Sequence, residues 1–145
     1  MNETLISFLQ QQTCATICCV DEQGKPYCFS CFYAVNFKEG LLYFKSSSTS
    51  HHSDLLNKSP FIAGTILPDK LNTLIVKGLQ LEGFILDENH PKAVQASENY
   101  HKKHPLAWVI PGKIWTIQIS FIKMTDSTKG FGKKITWNLN DEVTA

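Results

Sequence analysis

The sequence contains no arginine, so all 14 of its cationic side chains are lysines. Against 13 acidic residues they leave a formal net charge of only +1. That balance gives no electrostatic reason to expect a nucleic acid or an anionic membrane as a partner. Because guanidinium groups are missing, any bound phosphate must be held by lysine, histidine, hydroxyl groups or backbone N–H groups.

Long apolar runs are also missing, since no stretch approaches the roughly 20 apolar residues that a membrane-spanning helix needs. Residues 1–12 lack the basic start of a secretory signal. These two absences together predict a cytoplasmic protein with no membrane partner.

The cysteines are odd in number and all lie in the first quarter of the chain, at Cys14, Cys18, Cys19, Cys28 and Cys31. A disulfide-stapled secreted domain would spread an even number across its loops. Cys28 and Cys31 match a C-x-x-C spacing, but the surrounding residues have strand character, which directs side chains three apart to opposite faces. We therefore expect buried, reduced thiols and no metal site.

What the sequence does contain predicts a single domain, 1–145, because 43% of its 145 residues are hydrophobic and can form a core. Alternating apolar residues and turn residues predict antiparallel strands over 14–20, 26–36, 41–45, 61–67, 72–87, around 115–121 and over 134–138. Helices are expected over 2–12, 51–58 and 90–103. Bends at Gly78 and Gly83 favour closure into a small barrel, since closure removes exposed strand edges. The predicted fold is mainly β with inserted helices.

The segment 46–52 consists of seven consecutive serine, threonine and histidine residues between a predicted strand and a predicted helix. A helix N-terminus presents free N–H groups and a partial positive charge, which together suit a phosphate. Further donors would come from the side chains of Ser46, Ser48, Thr49, Ser50, His51 and His52. Serine clusters mostly mark loops, however, so a solvated turn with Ser50 as an ordinary N-cap fits the same residues.

Other polar residues give weaker indications of a site. Gln80 shares a strand face with Glu82, which favours solvent exposure, although its amide would also suit a heteroaromatic ring. His101 and His104 flank two lysines and indicate a wet basic helix face. Trp137 would either cover a planar ligand or plug one end of the barrel. Because no known catalytic arrangement appears, we assign no catalytic acid or base.

A family resemblance rests on three stretches of the sequence. Residues 123–137, KMTDSTKGFGKKITW, resemble the C-terminal signature of the YhbP-like proteins, which belong to the pyridoxamine 5′-phosphate oxidase-like, FMN-binding split-barrel superfamily. Residues 32–33, FY, agree with this family, and residues 77–83, KGLQLEG, resemble its G-x-Q-x-x-G strand.

The resemblance implies a six-stranded antiparallel split β-barrel with two or three short helices, which forms a homodimer with FMN in clefts at the subunit interface. The residues implied to hold the FMN phosphate are Ser46, Ser47, Ser50, His51 and His52. Those implied to lie near the isoalloxazine ring are Ser30, Cys31, Gln80, Lys134 and Trp137, the last two from either chain.

The implied function is that of an FMN-dependent oxidoreductase acting on an unknown small molecule. The flavin would carry the redox chemistry, and the protein would orient it and tune its electronics. The alternative is a non-catalytic flavin or small-molecule binding or sensor module, with haem as a second type of cofactor for the available imidazoles.

Overall fold

The computed structural model describes residues 1–130 and 132–143. In this part of the chain the strands are β1 (Cys14–Val20), β2 (Pro26–Asn36), β3 (Leu41–Ser46), β4 (Phe61–Ile66), β5 (Lys77–Ile85), β6 (Lys113–Asp126) and β7 (Lys134–Asn138). The α-helices are α1 (Glu3–Gln11), α2 (His51–Lys58), α3 (Ala96–Lys103) and α4 (Leu139–Val143). Short 3₁₀ helices cover Pro91–Ala93, Pro105–Val109 and Ser127–Lys129. None of the helices described is both long and apolar enough to cross a bilayer.

Six strands close into a barrel in the order β3-β2-β1-β4-β5-β6, because β3 pairs again with β6. Every pairing is antiparallel, and β7 adds to β6 beyond its contact with β3. The predicted six-stranded antiparallel split barrel is therefore confirmed. The structure adds one strand and has four α-helices where two or three helices were expected.

The barrel interior is filled by alternate residues of each strand, which explains the period-two pattern in the sequence. Ile17 of β1, Leu81 of β5 and Ile117 of β6 are buried almost completely. Burying each such side chain stabilises the fold by about 1.5–3 kcal/mol. Helix α1 packs onto the same core through Leu5 and Leu9.

Two predicted elements differ from the structure because local side chains form turns. The strand expected from residue 72 begins only at Lys77, because Oδ1 of Asn72 accepts a hydrogen bond from the N–H of Leu74 at 3.0 Å. The helix expected from residue 90 is interrupted, because Nδ1 of His90 accepts from the N–H of Lys92 at 3.1 Å and caps a 3₁₀ turn.

Helix α3 covers the outer face of one side of the barrel. Its Ala96 and Tyr100 form a second buried cluster with Ala34 of β2 and with Leu41 and Tyr43 of β3. The outer faces of β1, β4 and β5 carry mainly exposed side chains instead. The two sides of the barrel therefore offer different surfaces to ligands.

The thiols follow the strand alternation, and the prediction that they are buried is correct only for Cys19. Cys14 and Cys28 are exposed, and Cys18 and Cys31 are half-buried. Cys14, Cys18 and Cys28 are on the outer face of the barrel, which explains why they are accessible to solvent. Cys28 and Cys31 do point to opposite faces, since only Cys31 packs against the barrel core. In the described ranges no three His, Cys, Asp or Glu side chains come together as metal ligands.

Candidate functional site

The turn between β3 and α2 is held by its own serines. Oγ of Ser50 accepts a hydrogen bond from the N–H of Ser53, which confirms Ser50 as the N-cap of α2. The hydroxyls of Ser50 and Ser53 both donate to the carbonyl oxygen of Ser47, at 3.0 Å and 2.7 Å. The Ser50 hydroxyl is thus engaged within the turn, while Ser47 is exposed at its edge. We call residues 46–52 the serine–histidine corner.

Both histidines of the corner pack on aromatic rings of β2. The His52 ring stacks on Phe29 with centroids 3.8 Å apart and planes 9° from parallel. His51 meets Tyr27 edge to face at 4.8 Å. Nε2 of His52 also lies 2.5 Å from Oγ of Ser46. These contacts bring the corner against the start of β2.

The His52 imidazole is held in its neutral form near pH 7. Its pKa is lowered, first because burial disfavours the charged ring and second because His51 lies beside it. A neutral imidazole is a weaker phosphate ligand than a lysine ammonium. A cation for a phosphate at this corner must therefore come from another residue.

We expect stability to fall as the pH drops below the ordinary histidine pKa, because the unfolded chain then takes up a proton that folded His52 resists. A His52→Phe variant keeps an aromatic ring on Phe29 and cannot titrate. Its free energy of unfolding should fall less than that of the wild type between about pH 7 and pH 5. Urea unfolding at each pH measures the free energy of unfolding. If this free energy fell equally in the two proteins, the lowered pKa of His52 would be contradicted.

A groove of about 670 Å³ adjoins the corner, between α3 and the ends of β2 and β3. Three consecutive residues of its lining, Lys45, Ser46 and Ser47, are polar, and we call them its polar end. The remaining walls are mainly apolar and are formed by Phe32, Tyr100, Lys103, His104, Pro105, Leu106, Ala107, Ile110 and Pro111. We call this the α3 groove, and its volume is within the range of small-molecule sites.

Lys45 is a site residue that the sequence did not suggest. Its Nζ donates to the carbonyl oxygen of Ala107 at 2.8 Å and lies 3.1 Å from Nε2 of His101. This places an ammonium group at the polar end of the groove, next to Ser46. The available signal was its position directly before the serine run, at the end of a strand.

The prediction of a wet basic face on α3 is wrong for His101. Its side chain is buried, stacks on Trp108 with centroids 3.7 Å apart, and has Nδ1 2.8 Å from the carbonyl oxygen of Ser97. His104 is half-buried on the groove wall, and its Nε2 donates to the carbonyl oxygen of Tyr33 at 2.7 Å. Both imidazoles therefore anchor the helix and the segment that follows it.

Ser30 of β2 and Gln80 of β5 are exposed on the outer face of the barrel. The strand register aligns Ser30 with Thr16, Thr16 with Thr65, and Thr65 with Gln80, so these residues form a polar row across four strands. All four are exposed. Gln80 shares its face with Glu82, as the period-two pattern predicted.

The remaining three predicted residues are placed apart from the corner. Lys134 of β7 is exposed and donates to Oγ1 of Thr125 at 2.8 Å. Cys31 packs against the barrel core, and burial raises its pKa to about 12. Trp137 is also in the core, packed beside Gly40, and its indole N–H donates to Glu142 at 2.5 Å. Within one chain, then, Ser46, Ser47, Ser50, His51 and His52 lie together in the serine–histidine corner.

Comparison with known sequences assigns the family. No protein-family model matches the chain. A UPF0306 protein of Yersinia enterocolitica is 30% identical over 131 residues, which cover 90% of this chain and 88% of the relative. The chain belongs to the UPF0306 family. The UPF0306 protein YhbP of Escherichia coli is 27% identical over 84% of this chain and 83% of its own length. The resemblance to the YhbP-like proteins is thereby confirmed.

Solved structures share the fold of this UPF0306 protein at low sequence identity. A heme binding protein from Mycobacterium smegmatis superimposes with a TM-score of 0.74 at 14% identity, over 90% of this chain and 55% of that one. A FAD-binding protein from Mesorhizobium loti gives 0.65 at 15% identity, over 87% and 95% of the two chains. A pyridoxinephosphate oxidase family protein from Clostridium acetobutylicum gives 0.64 at 13% identity, over 95% and 94%. The chain thus shares the split-barrel fold of these proteins.

Proposed function

We propose that this UPF0306 protein binds FMN in the α3 groove and acts as an FMN-dependent oxidoreductase on a small molecule. The observation that carries the proposal is the groove itself, whose lining contains Lys45, Ser46 and Ser47 in succession and is mainly apolar elsewhere. A phosphorylated molecule with a planar aromatic ring has the same two parts. Fold neighbours that are a FAD-binding protein and a pyridoxinephosphate oxidase family member support a flavin as the ligand.

The polar end of the groove suits the phosphate. Lys45 supplies the charge, and Ser46 and Ser47 supply hydroxyl donors at the end of β3. Such charge-assisted hydrogen bonds are about twice as strong as neutral ones. Lys45 is already oriented by Ala107 and His101, so little side-chain entropy is lost when a phosphate binds.

The apolar walls suit a ring system. The exposed ring of Phe32 and the side chains of Leu106 and Ile110 offer a surface against which a flat heterocycle excludes water. A bound flavin supplies hydride and electron transfer, and the protein contributes binding and orientation. No proton-transfer residue is assigned to the groove.

In this proposal a second copy of the chain completes the site, as the family resemblance implies. Residues 106–110 carry several exposed apolar side chains, among them Leu106 at 85% and Val109 at 86% exposure. Apolar surface of this kind at the rim of a groove is typical of a protein–protein contact. Ser30, Gln80 and Lys134 remain proposed ring-side ligands through that second copy, and Trp137 remains proposed as the indole near the ring.

Haem is the second candidate ligand. The imidazole of His104 lies on the groove wall, and histidine is a common axial ligand of haem iron. It would coordinate iron through Nδ1, because its Nε2 donates to the carbonyl oxygen of Tyr33. The heme binding protein among the fold neighbours also supports it. A non-catalytic binding or sensor module is compatible with either ligand.

The visible absorption spectrum of the protein titrated with FMN, and separately with haemin, distinguishes these functions. We expect saturable FMN binding with a perturbed flavin spectrum, and bleaching of that spectrum over repeated turnovers by a nicotinamide or another small reductant. Binding without turnover across a panel of donors and acceptors would support the non-catalytic module. A Soret band with haemin and no response to FMN would make haem the ligand and reject the flavin proposal.

A further inference from the structure

Cys18 and Cys28 face each other across two neighbouring strands. The register of β1 and β2 pairs them directly, and both point to the outer face of the barrel. Cys28 is exposed and Cys18 is half-buried, and their thiols interact with each other. Neither residue contributes to the α3 groove.

The hydrogen-bond pattern of the hairpin fixes how close the two residues are. The N–H of Asp21 donates to the carbonyl of Lys25, and the N–H of Tyr33 donates to that of Thr13. Hydrogen-bonded and non-hydrogen-bonded pairs alternate along an antiparallel ladder, so the pair at 18 and 28 is non-hydrogen-bonded. In such pairs the Cα atoms lie about 4.5 Å apart. Disulfides span Cα separations of about 4.4–6.8 Å, so this pair needs little backbone movement to become bonded.

The other cysteines do not form a second pair of this kind. Cys19 and Cys31 point into the barrel. In the register of β1 and β2, Cys19 is opposite Tyr27 and Cys31 is opposite Ala15, so the two thiols do not face each other. Cys14 is exposed on the outer face, but its partner across the hairpin is Phe32. Cys14 is therefore a matched control, with the same strand and face but no thiol opposite.

We propose that Cys18 and Cys28 are a dithiol site that a peroxide oxidises reversibly to a cross-strand disulfide. In the first step Cys28 sulfur attacks one oxygen of hydrogen peroxide, the O–O bond breaks, and a sulfenic acid and one water form. In the second step Cys18 sulfur attacks the Cys28 sulfur and displaces the hydroxyl, which leaves as water with the Cys18 proton. Two thiols are oxidised and one peroxide is reduced to two waters.

The order of the two steps follows from exposure. Cys28 is open to solvent, whereas Cys18 is half-buried, so the peroxide reaches Cys28 first. Burial, and then the neighbouring Cys28 thiol, raises the pKa of Cys18, which lowers the fraction of Cys18 present as the reactive thiolate.

The test treats the folded protein with one equivalent of hydrogen peroxide, quenches free thiols by alkylation, and cleaves after glutamate. Cleavage after Glu22 separates Cys18 from Cys28, since Glu22 lies in the hairpin turn. We expect wild type to lose the mass of two hydrogen atoms, to yield a fragment linked through Cys18 and Cys28, and to recover both thiols on reduction.

Three variants and one further measurement make the result decisive. Cys14→Ser should form the linked fragment as wild type does, whereas Cys18→Ser and Cys28→Ser should not. Circular dichroism of each variant establishes that it is folded. If a variant is not, tandem mass spectrometry of the linked wild-type fragments 4–22 and 23–39 still decides the pairing, since these fragments carry Cys14, Cys18 and Cys19 on one side and Cys28 and Cys31 on the other. Linkage through Cys14 or Cys31, a disulfide between chains, or two unreacted thiols in folded wild type would each overturn the proposal.

Discussion

A Gly83→Ala variant is expected to lose at least about 3 kcal/mol of unfolding free energy, the upper end of the usual cost of overpacking. A Cβ at Gly83 would lie 2.4 Å from the carbonyl oxygen of Gln118 and 2.9 Å from Cγ2 of Ile117. The first of these atoms belongs to the backbone of β6, so it cannot turn away as a side chain would. The register of β5 on β6 also shifts between Glu82 and Gly83. Relief of the clash therefore requires the two strands to separate at the point where the barrel bends.

Gly78→Ala is the matched control on the same strand. Its Cβ would meet Cδ2 of Leu67 at 3.2 Å, and this atom ends a flexible, exposed side chain. We expect a change within about 1 kcal/mol, as for a strand substitution without a fixed obstacle. Urea unfolding of both variants measures the difference. If Gly83→Ala and Gly78→Ala lost the same free energy of unfolding, the claim that no side chain fits at Gly83 would be contradicted.

The strands were predictable from the sequence because each has one inward and one outward face. Strands β1 and β2 and helix α2 match the predicted bounds. Both glycines of β5 looked alike as candidate bends, yet only Gly83 lies at the register shift. Which one has backbone opposite it depends on how β6 crosses β5, and no local pattern encodes that crossing.

The site was less predictable for the same physical reason. The segment 46–52 was recognisable from composition alone, since so many adjacent hydroxyl and imidazole groups are unusual at a strand end. The role of Lys45 and the burial of His101 could not be predicted from the sequence, because both depend on the packing of α3 against β3. Helix α3, which forms one wall of the groove, begins at Ala96, 50 residues after the end of β3 at Ser46. Residues brought together over such a separation have no shared sequence pattern.

The second large effect is expected at Lys45, and it rests on the proposed FMN site. A Lys45→Met variant retains most of the side-chain volume and removes the ammonium group from the polar end of the α3 groove. A hydrogen bond to a charged group contributes about 1.5–3 kcal/mol, so FMN affinity should fall about 10- to 100-fold. Riboflavin lacks the phosphate, and its affinity should be nearly unchanged. Fluorescence titration with each flavin measures both constants.

The comparison of the two flavins separates a phosphate contact from a general effect on the groove, because Lys45 also holds Ala107 and His101. If the variant merely loosened the segment after α3, FMN and riboflavin would weaken together. Lys102→Met serves as the control, since Lys102 is exposed on α3 and does not line the groove. Unchanged FMN affinity in Lys45→Met, with wild type binding normally, would exclude Lys45 as the phosphate ligand and leave the serine hydroxyls and backbone N–H groups to hold it.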